Sequence, residues 1–121
     1  MYSQFQKEFK FEDRQEMSNK LRDKFEGRVP CIVEKSRNWG SRNLQNIDKR
    51  KFLIPIDISM GNMALIIRKR TKLPPDTALI FYVGDKQIIP KMSDTFNILY
   101  ANNKSSDGFL YISYSLEKVF G

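Results

Sequence analysis

Apolar residues near the start of the chain recur at helical spacing. Met17, Leu21 and Phe25 recur every four residues within DRQEMSNKLRDKF, which predicts a mostly charged helix with one apolar stripe. The shorter QFQKEF before it predicts a separate helical turn or two, joined to the longer helix near Phe11. This part of the chain therefore indicates two helices, the second of them amphipathic.

Two apolar runs after these helices predict strands. RVPCIVEK (28–35) has the short apolar pattern of a strand, and Pro30 indicates a sheet edge or an irregular start. Residues 36–46 are rich in turn formers and predict a loop that contains Trp39. KRKFLIPIDI (49–58) predicts a second strand, and a proline near its end limits how far its ladder can extend.

The next segments predict a helix and a pair of strands. SMGNMALIIRKRTK has helical spacing of its apolar residues, and Ser59 is a suitable N-cap. ALIFYVG and QIIP predict two strands joined by a turn at Gly84 and Asp85. SDTFNILYANN predicts a short helix capped by Ser93, and GFLYISYS (108–115) is the strongest strand pattern in the chain.

Without the N-terminal helices, the predicted order is ββαββαβ. Parallel strands need crossover connections, which the two later helices can supply. A hairpin followed by a helix, with the last strand in the middle of the sheet, is typical of a ubiquitin-like β-grasp. The pattern makes that fold one candidate among several α+β folds.

Composition narrows the class of protein. A length of 121 residues predicts one domain with a single modest core. No run approaches the roughly 20 apolar residues of a membrane span, and the N-terminus lacks the apolar stretch of a signal peptide. The one cysteine cannot form an internal disulfide. These features favour a cytosolic protein.

Charge and residue types limit the chemistry. The net charge is +7, and residues 1–51 carry 13 basic and 8 acidic side chains, a surface that could attract nucleic acid, anionic membrane or acidic peptides. The absence of histidine removes the usual catalytic bases and the commonest zinc ligand. Cys31 lies in an apolar run and is expected to be a buried core residue. We therefore predict no catalytic residues, no metal site, no cofactor and no enzymatic activity.

Three long blocks carry more specific information: FEDRQEMSNKLRDKFEGRVPCIVEK, DKRKFLIPIDISMGNMALIIRKR and DGFLYISYSLEKVFG. In this order they closely resemble the ubiquitin-like autophagy modifiers, the family of GABARAP and light chain 3. The resemblance implies an α+β fold, a ubiquitin-like β-grasp with two additional N-terminal helices. It predicts a helical extension at 1–26, a β-grasp core at 27–116 and a flexible tail at 117–121.

The resemblance also implies a function for Gly121. Its carboxylate would be joined to phosphatidylethanolamine, with Phe120 as a handle for the conjugation enzymes, and the lipidated protein would recruit cargo receptors to autophagosomes. The implied partners are activating and conjugating enzymes, a processing and deconjugating cysteine protease, the phosphatidylethanolamine membrane, and peptide motifs of cargo receptors and adaptors. We expect a monomer that is cytoplasmic, and on autophagosomal membrane when lipidated.

A peptide-binding surface is predicted at the KFLI strand. Phe52 and Ile54 point to one side of it and Leu53 to the other. If this strand lies at a sheet edge, an extended peptide could pair with it and place alternate side chains on both sides. The family's peptides carry an aromatic residue and, three positions later, an aliphatic one. Residues matching the family's aromatic pocket are Met17, Leu21, Pro30, Ile32, Lys51, Leu53 and Phe109. Residues matching its aliphatic pocket are Phe52, Ile54, Pro55, Ile58, Met63, Ile66, Ile67 and Arg70.

Clustered charge lies beside this proposed groove. Arg28, Lys49 and Arg50 are predicted to steer acidic residues that flank the peptide's aromatic residue. Two alternatives stay open. One is a non-conjugated basic module for tubulin, anionic membrane or RNA, of which RNA is the weakest because no aromatic RNA-binding motif is visible. The other is conjugation of the same glycine to protein lysines.

Overall fold

The structure is a computed structural model, and it describes residues 3–36, 44, 46–73 and 76–116 of the chain. Its elements in chain order are α1 (Gln4–Glu8), α2 (Phe11–Lys24), β1 (Arg28–Lys35), β2 (Lys51–Pro55), α3 (Met60–Thr71), β3 (Leu79–Val83), α4 (Phe96–Asn103) and β4 (Leu110–Leu116). No helix within these described ranges has the length and apolar character needed to cross a membrane.

Side-chain caps define the starts of two helices. Ser3 and Gln6 form a reciprocal capping box at α1, in which each side chain accepts the other's backbone N–H at 3.1 and 2.9 Å. At α3, Ser59 Oγ accepts the N–H of Asn62, so the predicted cap is confirmed. Both helices therefore begin where a polar side chain satisfies a backbone donor that would otherwise lack a partner.

The four strands form one mixed sheet in the order β2-β1-β4-β3. β1 pairs antiparallel with β2 and parallel with β4, and β3 pairs antiparallel with β4. The last strand therefore lies inside the sheet, as predicted. Strand β2 lies at an edge, which is the condition that peptide pairing with it requires. This is the predicted α+β arrangement, a β-grasp with two helices before it.

Alternation along the strands gives the sheet two apolar faces. In β1, Cys31 and Val33 belong to the main core, whereas Ile32 between them belongs to a second cluster on the opposite face. The main core lies against α3 and α4; its buried residues are Val29, Cys31, Val33, Leu44, Ile47, Ile54, Met60, Met63, Ile67, Phe81, Val83, Phe96, Leu99, Tyr100, Leu110, Ile112 and Tyr114. The second cluster consists of Phe5, Ile32, Phe109 and Tyr111, with half-buried Met17 and Leu21 packed against it. The N-terminal helices therefore cover a face that would otherwise expose apolar side chains to water.

A buried carboxylate ties these helices to the sheet. Asp107 is 1% exposed, and its Oδ2 accepts hydrogen bonds from Arg14 Nε at 3.0 Å and from the Tyr111 hydroxyl. The Ser18 hydroxyl, also fully buried, donates to the backbone carbonyl of Asp107. Burial and the hydrogen bond to Asp107 raise the pKa of Tyr111, which keeps its hydroxyl a neutral donor. Helix α2 is thus held by a charge-assisted contact of the kind that is costly to break when buried.

Arg14 extends this contact to the first helix. Its Nη1 donates to the backbone carbonyls of Gln6 at 2.9 Å and of Phe9 at 3.0 Å. A five-residue helix has little stability by itself, so contacts of this kind determine where α1 lies. One side chain therefore connects α1, α2 and the start of β4.

Some predicted boundaries are wrong. QIIP is not a strand: Ile88 alone forms an isolated bridge to Val83, because the chain turns back for one residue pair only. The short helix α4 begins after Thr95, not Ser93, and its cap makes no side-chain hydrogen bond. Phe25 does not continue the packed stripe of α2, since it is the C-cap residue and is 36% exposed.

Pro30 lies in an inner strand, so the prediction of a sheet edge is wrong for β1 as a whole. The pairing of β1 with β4 begins only at Cys31, one residue later. At Pro30 the strand is therefore paired on one side only, with Leu53 of β2. A proline is tolerated there because no β4 partner yet requires its missing N–H.

The domain division stays a prediction. Residues 117–121, the predicted tail, lie outside the described residues, and so does most of the 36–46 loop, including Trp39.

Gly108 offers a test of how closely α2 docks. Its φ is +91°, and a Cβ there would overlap Ser18 Oγ, whereas Gly27 has φ +74° and open space around the same position. Both Gly→Ala changes should therefore incur the left-handed backbone cost of about 1–2 kcal/mol, and Gly108→Ala should lose roughly a further 1–3 kcal/mol from the clash. Urea unfolding of both variants measures the difference. Equal destabilisation would contradict the close docking of α2 on this turn.

Candidate functional site

The outer edge of β2 presents backbone groups that pair with none of the described residues. The N–H of Val33 donates to the carbonyl of Arg50 at 2.8 Å, which fixes the alternation of the β1–β2 ladder. Lys51 and Leu53 are then the strand residues whose N–H and C=O point away from β1. Pro55 ends the strand and has no N–H, so the open edge offers donors at two alternate residues only.

The other edge of the sheet is partly covered. Val83 of β3 exchanges two backbone hydrogen bonds with Ile88, at 2.8 and 3.0 Å. By the same alternation, Leu79 and Phe81 keep outward-facing backbone groups. The turn after β3 therefore shields one end of this edge, while no described residue covers the two outward residues of β2.

The structure brings the predicted aromatic-pocket residues to one face of the sheet. Ile32 and Phe109 belong to the second cluster, and Met17 and Leu21 pack against it. Pro30 lies opposite Leu53, and Ile32 lies opposite Lys51, across the β1–β2 ladder. Ile32 and Phe109 are almost fully buried, whereas Met17, Leu21 and Leu53 are half-buried. The accessible part of this set is therefore the half-buried residues together with Lys51.

The predicted aliphatic-pocket residues lie on the opposite face and divide by exposure. Ile54, Met63 and Ile67 are at most 2% exposed and belong to the main core. Phe52 and Ile58 are half-buried against that core, and Pro55 is half-buried at the end of the strand. Ile66 is 39% exposed, and Arg70 is also exposed. A ligand on this face would touch the second group, while the first supports the fold.

The basic residues at this edge differ in their surroundings. Arg28 and Lys51 are exposed and make no ion pair or hydrogen bond with other side chains in the described part of the chain. Lys49 Nζ lies 5.0 Å from the centroid of the Phe52 ring. The Arg70 guanidinium lies 5.5 Å from the same centroid and pairs with an acidic side chain, that of Asp48. Phe52 is therefore a half-buried ring beside two cations.

Arg50 is already engaged. Its guanidinium pairs with Glu8 at the end of α1, lies 3.8 Å from Glu34 Oε2, and lies 5.2 Å from the ring centroid of Phe5. The hydrogen bond from Arg50 lowers the pKa of Glu8, and the same bond raises the pKa of Arg50. Arg50 is thus a partly neutralised cation, unlike Arg28 and Lys51.

The acidic partners of the basic residues and the burial of Phe5 were not predicted from the sequence. Glu8, Glu34 and Asp107 have their ion-pair partners 42, 16 and 93 residues away in sequence, so no local pattern indicates these pairs. Phe5 and Phe9 are four residues apart, a spacing that places them on one side of a helix. In the structure their ring centroids lie 4.9 Å apart. Phe5 is nevertheless 1% exposed, a burial that the spacing alone does not give.

Several other predicted residues can be placed or set aside. Cys31 is fully buried, and burial raises the pKa of its thiol, so it is a core residue as predicted. Gly121 and Phe120 lie outside the described residues. Within the described part, no group of three or more histidine, cysteine or acidic side chains is arranged to hold a metal ion.

The fold and its open edge define the class of protein: a ubiquitin-like domain that carries two N-terminal helices. The family profile described as "Autophagy protein Atg8 ubiquitin like" matches residues 13–121. Autophagy-related protein 8 of Scheffersomyces stipitis is 42% identical over all of this chain and 84% of its own length. The Saccharomyces cerevisiae protein of the same name is 39% identical over all of this chain and 99% of its own.

A solved structure agrees with the sequence comparisons. The crystal structure of Trypanosoma brucei ATG8 matches this chain with a TM-score of 0.86 and 33% identity. The match covers 100% of each chain. The chain belongs to the Atg8 family of autophagy ubiquitin-like proteins. The predicted family and fold are therefore confirmed.

Proposed function

We propose that this chain is a ubiquitin-like modifier that is joined through Gly121 to phosphatidylethanolamine on autophagosomal membranes. There it would recruit cargo receptors and autophagy factors through aromatic-x-x-aliphatic peptides. The observation that carries the binding part of this proposal is the open edge of β2, with half-buried apolar side chains on both faces beside it. Family membership carries the conjugation part.

The spacing of the peptide motif fits an added strand. Successive side chains of a strand point to opposite faces, so two residues three positions apart also point to opposite faces. A peptide paired with Lys51 and Leu53 would place its aromatic side chain beside Met17 and Leu21, over the second cluster. Its aliphatic side chain would then lie beside Phe52, Ile58 and Ile66 on the main-core face. Backbone hydrogen bonds would supply affinity, and the two apolar surfaces would supply specificity.

The basic residues would favour acidic peptides. Arg28 and Lys51 are exposed and unpaired among the described residues, so their charge is available to a ligand. Exposed charges of this kind raise the association rate and fix register more than they add affinity. Acidic residues beside the aromatic position are therefore the expected flanks.

Gly121 would serve as a substrate group, and other proteins would supply catalysis. Its carboxylate would attack the α-phosphate of ATP, which forms an acyl-adenylate and releases pyrophosphate. A cysteine thiol of the activating enzyme would displace AMP, and the thioester would pass to a conjugating enzyme that Phe120 helps to dock. The lipid amine would then attack this thioester, displace the thiol of the conjugating enzyme and form an amide. The two acyl chains of the product give stable anchoring, which a single chain does not.

Peptide binding can be tested with Leu53→Ala and Lys51→Ala. We expect Leu53→Ala to weaken an aromatic-x-x-aliphatic peptide by roughly 5–30-fold, because truncating a contact residue at an interface costs about 1–2 kcal/mol. Lys51→Ala should weaken an acidic-flanked peptide by up to about fivefold. Calorimetry measures both, and Leu79→Ala on the opposite edge strand is the matched control. Unchanged affinity in both edge variants, with the fold intact, would contradict this position of the groove.

Conjugation can be tested by reconstitution with the activating and conjugating enzymes of an Atg8 relative, ATP and vesicles. We expect intact mass to show addition of phosphatidylethanolamine to the wild-type chain and none to Gly121→Ala. Vesicles that lack an aminophospholipid are the control for the acceptor. Leu53→Ala, which changes only the proposed groove, should conjugate normally. If the Saccharomyces cerevisiae relative conjugates and this chain does not, a non-conjugated binding module for tubulin or anionic membrane becomes the better account. An adduct on protein lysines alone would favour a protein acceptor.

A further inference from the structure

Arg50 stands at the open edge but already holds an acid of its own chain. It directly precedes Lys51, the first residue of β2, whose backbone groups face outward. Its guanidinium reaches the face that α1 covers, because it pairs with Glu8 and lies over the ring of Phe5. That is the face on which the predicted aromatic pocket lies. An acidic residue flanking a bound aromatic side chain would therefore meet Arg50 and Glu8 together.

The site around Arg50 is held in position. The carbonyl of Arg50 accepts the N–H of Val33, which fixes its backbone to β1. Phe5, against which the guanidinium lies, is 1% exposed, and its N–H donates to Glu34 Oε2 at 3.1 Å. The guanidinium is thus presented at a fixed place, which lowers the entropy cost of binding an acid there.

The two acids beside Arg50 differ in how easily they can leave. The Glu34 side chain is 16% exposed and accepts the backbone N–H of Phe5, whereas the Glu8 side chain is 42% exposed. Glu8 is the last residue of the short helix α1, so it can move without breaking the sheet. Of the two, Glu8 is the one that an incoming carboxylate can replace.

Charge balance gives the consequence. Arg50 with Glu8 and Glu34 carries one positive and two negative charges, so the trio as it stands repels an acid. An incoming acid gains Arg50 only if Glu8 moves away. Resting on the proposed function, we propose that Glu8 is a specificity-determining residue, an internal competitor that occupies Arg50 and is exchanged for an acidic side chain of the bound peptide.

Calorimetry with two peptides tests this exchange. Both carry the aromatic-x-x-aliphatic motif, one with glutamate and the other with glutamine before the aromatic residue. Glu8→Gln should raise the affinity for the glutamate peptide by about three- to fivefold, the scale of a partly exposed ion pair, and leave the glutamine peptide unchanged. Asp85→Asn removes the same charge from the exposed turn after β3 and should change neither. In an Arg50→Gln background, the effect of Glu8→Gln should disappear.

The carboxyl of Glu8 gives a second readout that a purely structural role would not move. In the free chain its pKa is lowered by Arg50, and a ¹³C NMR titration should show it rising toward the ordinary value when the glutamate peptide, and not the glutamine peptide, is bound. If Glu8→Gln raised the affinity for both peptides equally, or changed neither affinity, the proposal would be overturned while the groove stayed intact. If neither peptide binds any variant, the proposed groove itself fails and the competitor role with it.

Discussion

The buried carboxylate of Asp107 is the contact on which the rest of the arrangement depends. It accepts hydrogen bonds from Arg14 and Tyr111. Arg14 in turn donates to the backbone carbonyls of Gln6 and Phe9, in and just after α1. The sheet has apolar side chains on both faces, so its second face needs a cover. Without this contact, the helices would be held by the small cluster around Phe5 and by the contacts of α1 with Arg50 and Glu34. The polar anchor places the helices, and apolar burial supplies the stabilisation.

The same two-layer construction makes the edge of the sheet useful. A strand at the edge of a one-sided sheet would have an apolar layer on one face only. Here β2 lies between the main core and the second cluster, so an added strand could reach apolar surface on both sides. Pro55 limits the free donors of this edge, and Ile88 covers part of the other edge. Open strand edges invite aggregation, and both features restrict it.

Local pattern predicted most elements, because capping and alternation are properties of neighbouring residues. The bounds of β1 were predicted as 28–35 and are Arg28–Lys35, and Ser59 caps α3 as expected. The strand predicted for QIIP is wrong, because an apolar run of this kind resembles a strand although its backbone pairs at Ile88 only. No local pattern distinguishes a strand from a single bridge when both are apolar.

The candidate site was only half accessible to sequence reasoning. The resemblance assigned Leu53 and Phe52 to different pockets, and strand geometry alone also puts them on opposite sides of the strand. It could not show that Ile54 and Met63 are too buried to meet a ligand, since burial depends on packing from distant elements. Nor could it show that Arg50 is held by Glu8, because ion pairs across 42 residues follow from the docked helices. Long-range polar contacts are therefore the part that only the structure supplies.

The central claim is that a peptide adds to the sheet at β2 and not at β3, and amide hydrogen exchange measures this residue by residue. In the free chain the N–H groups of Lys51 and Leu53, and those of Leu79 and Phe81, all point away from a strand partner. With saturating aromatic-x-x-aliphatic peptide, exchange at Lys51 and Leu53 should slow, while exchange at Leu79 and Phe81 should stay as it was. Slower exchange at Leu79 and Phe81, or at neither pair, would contradict the account.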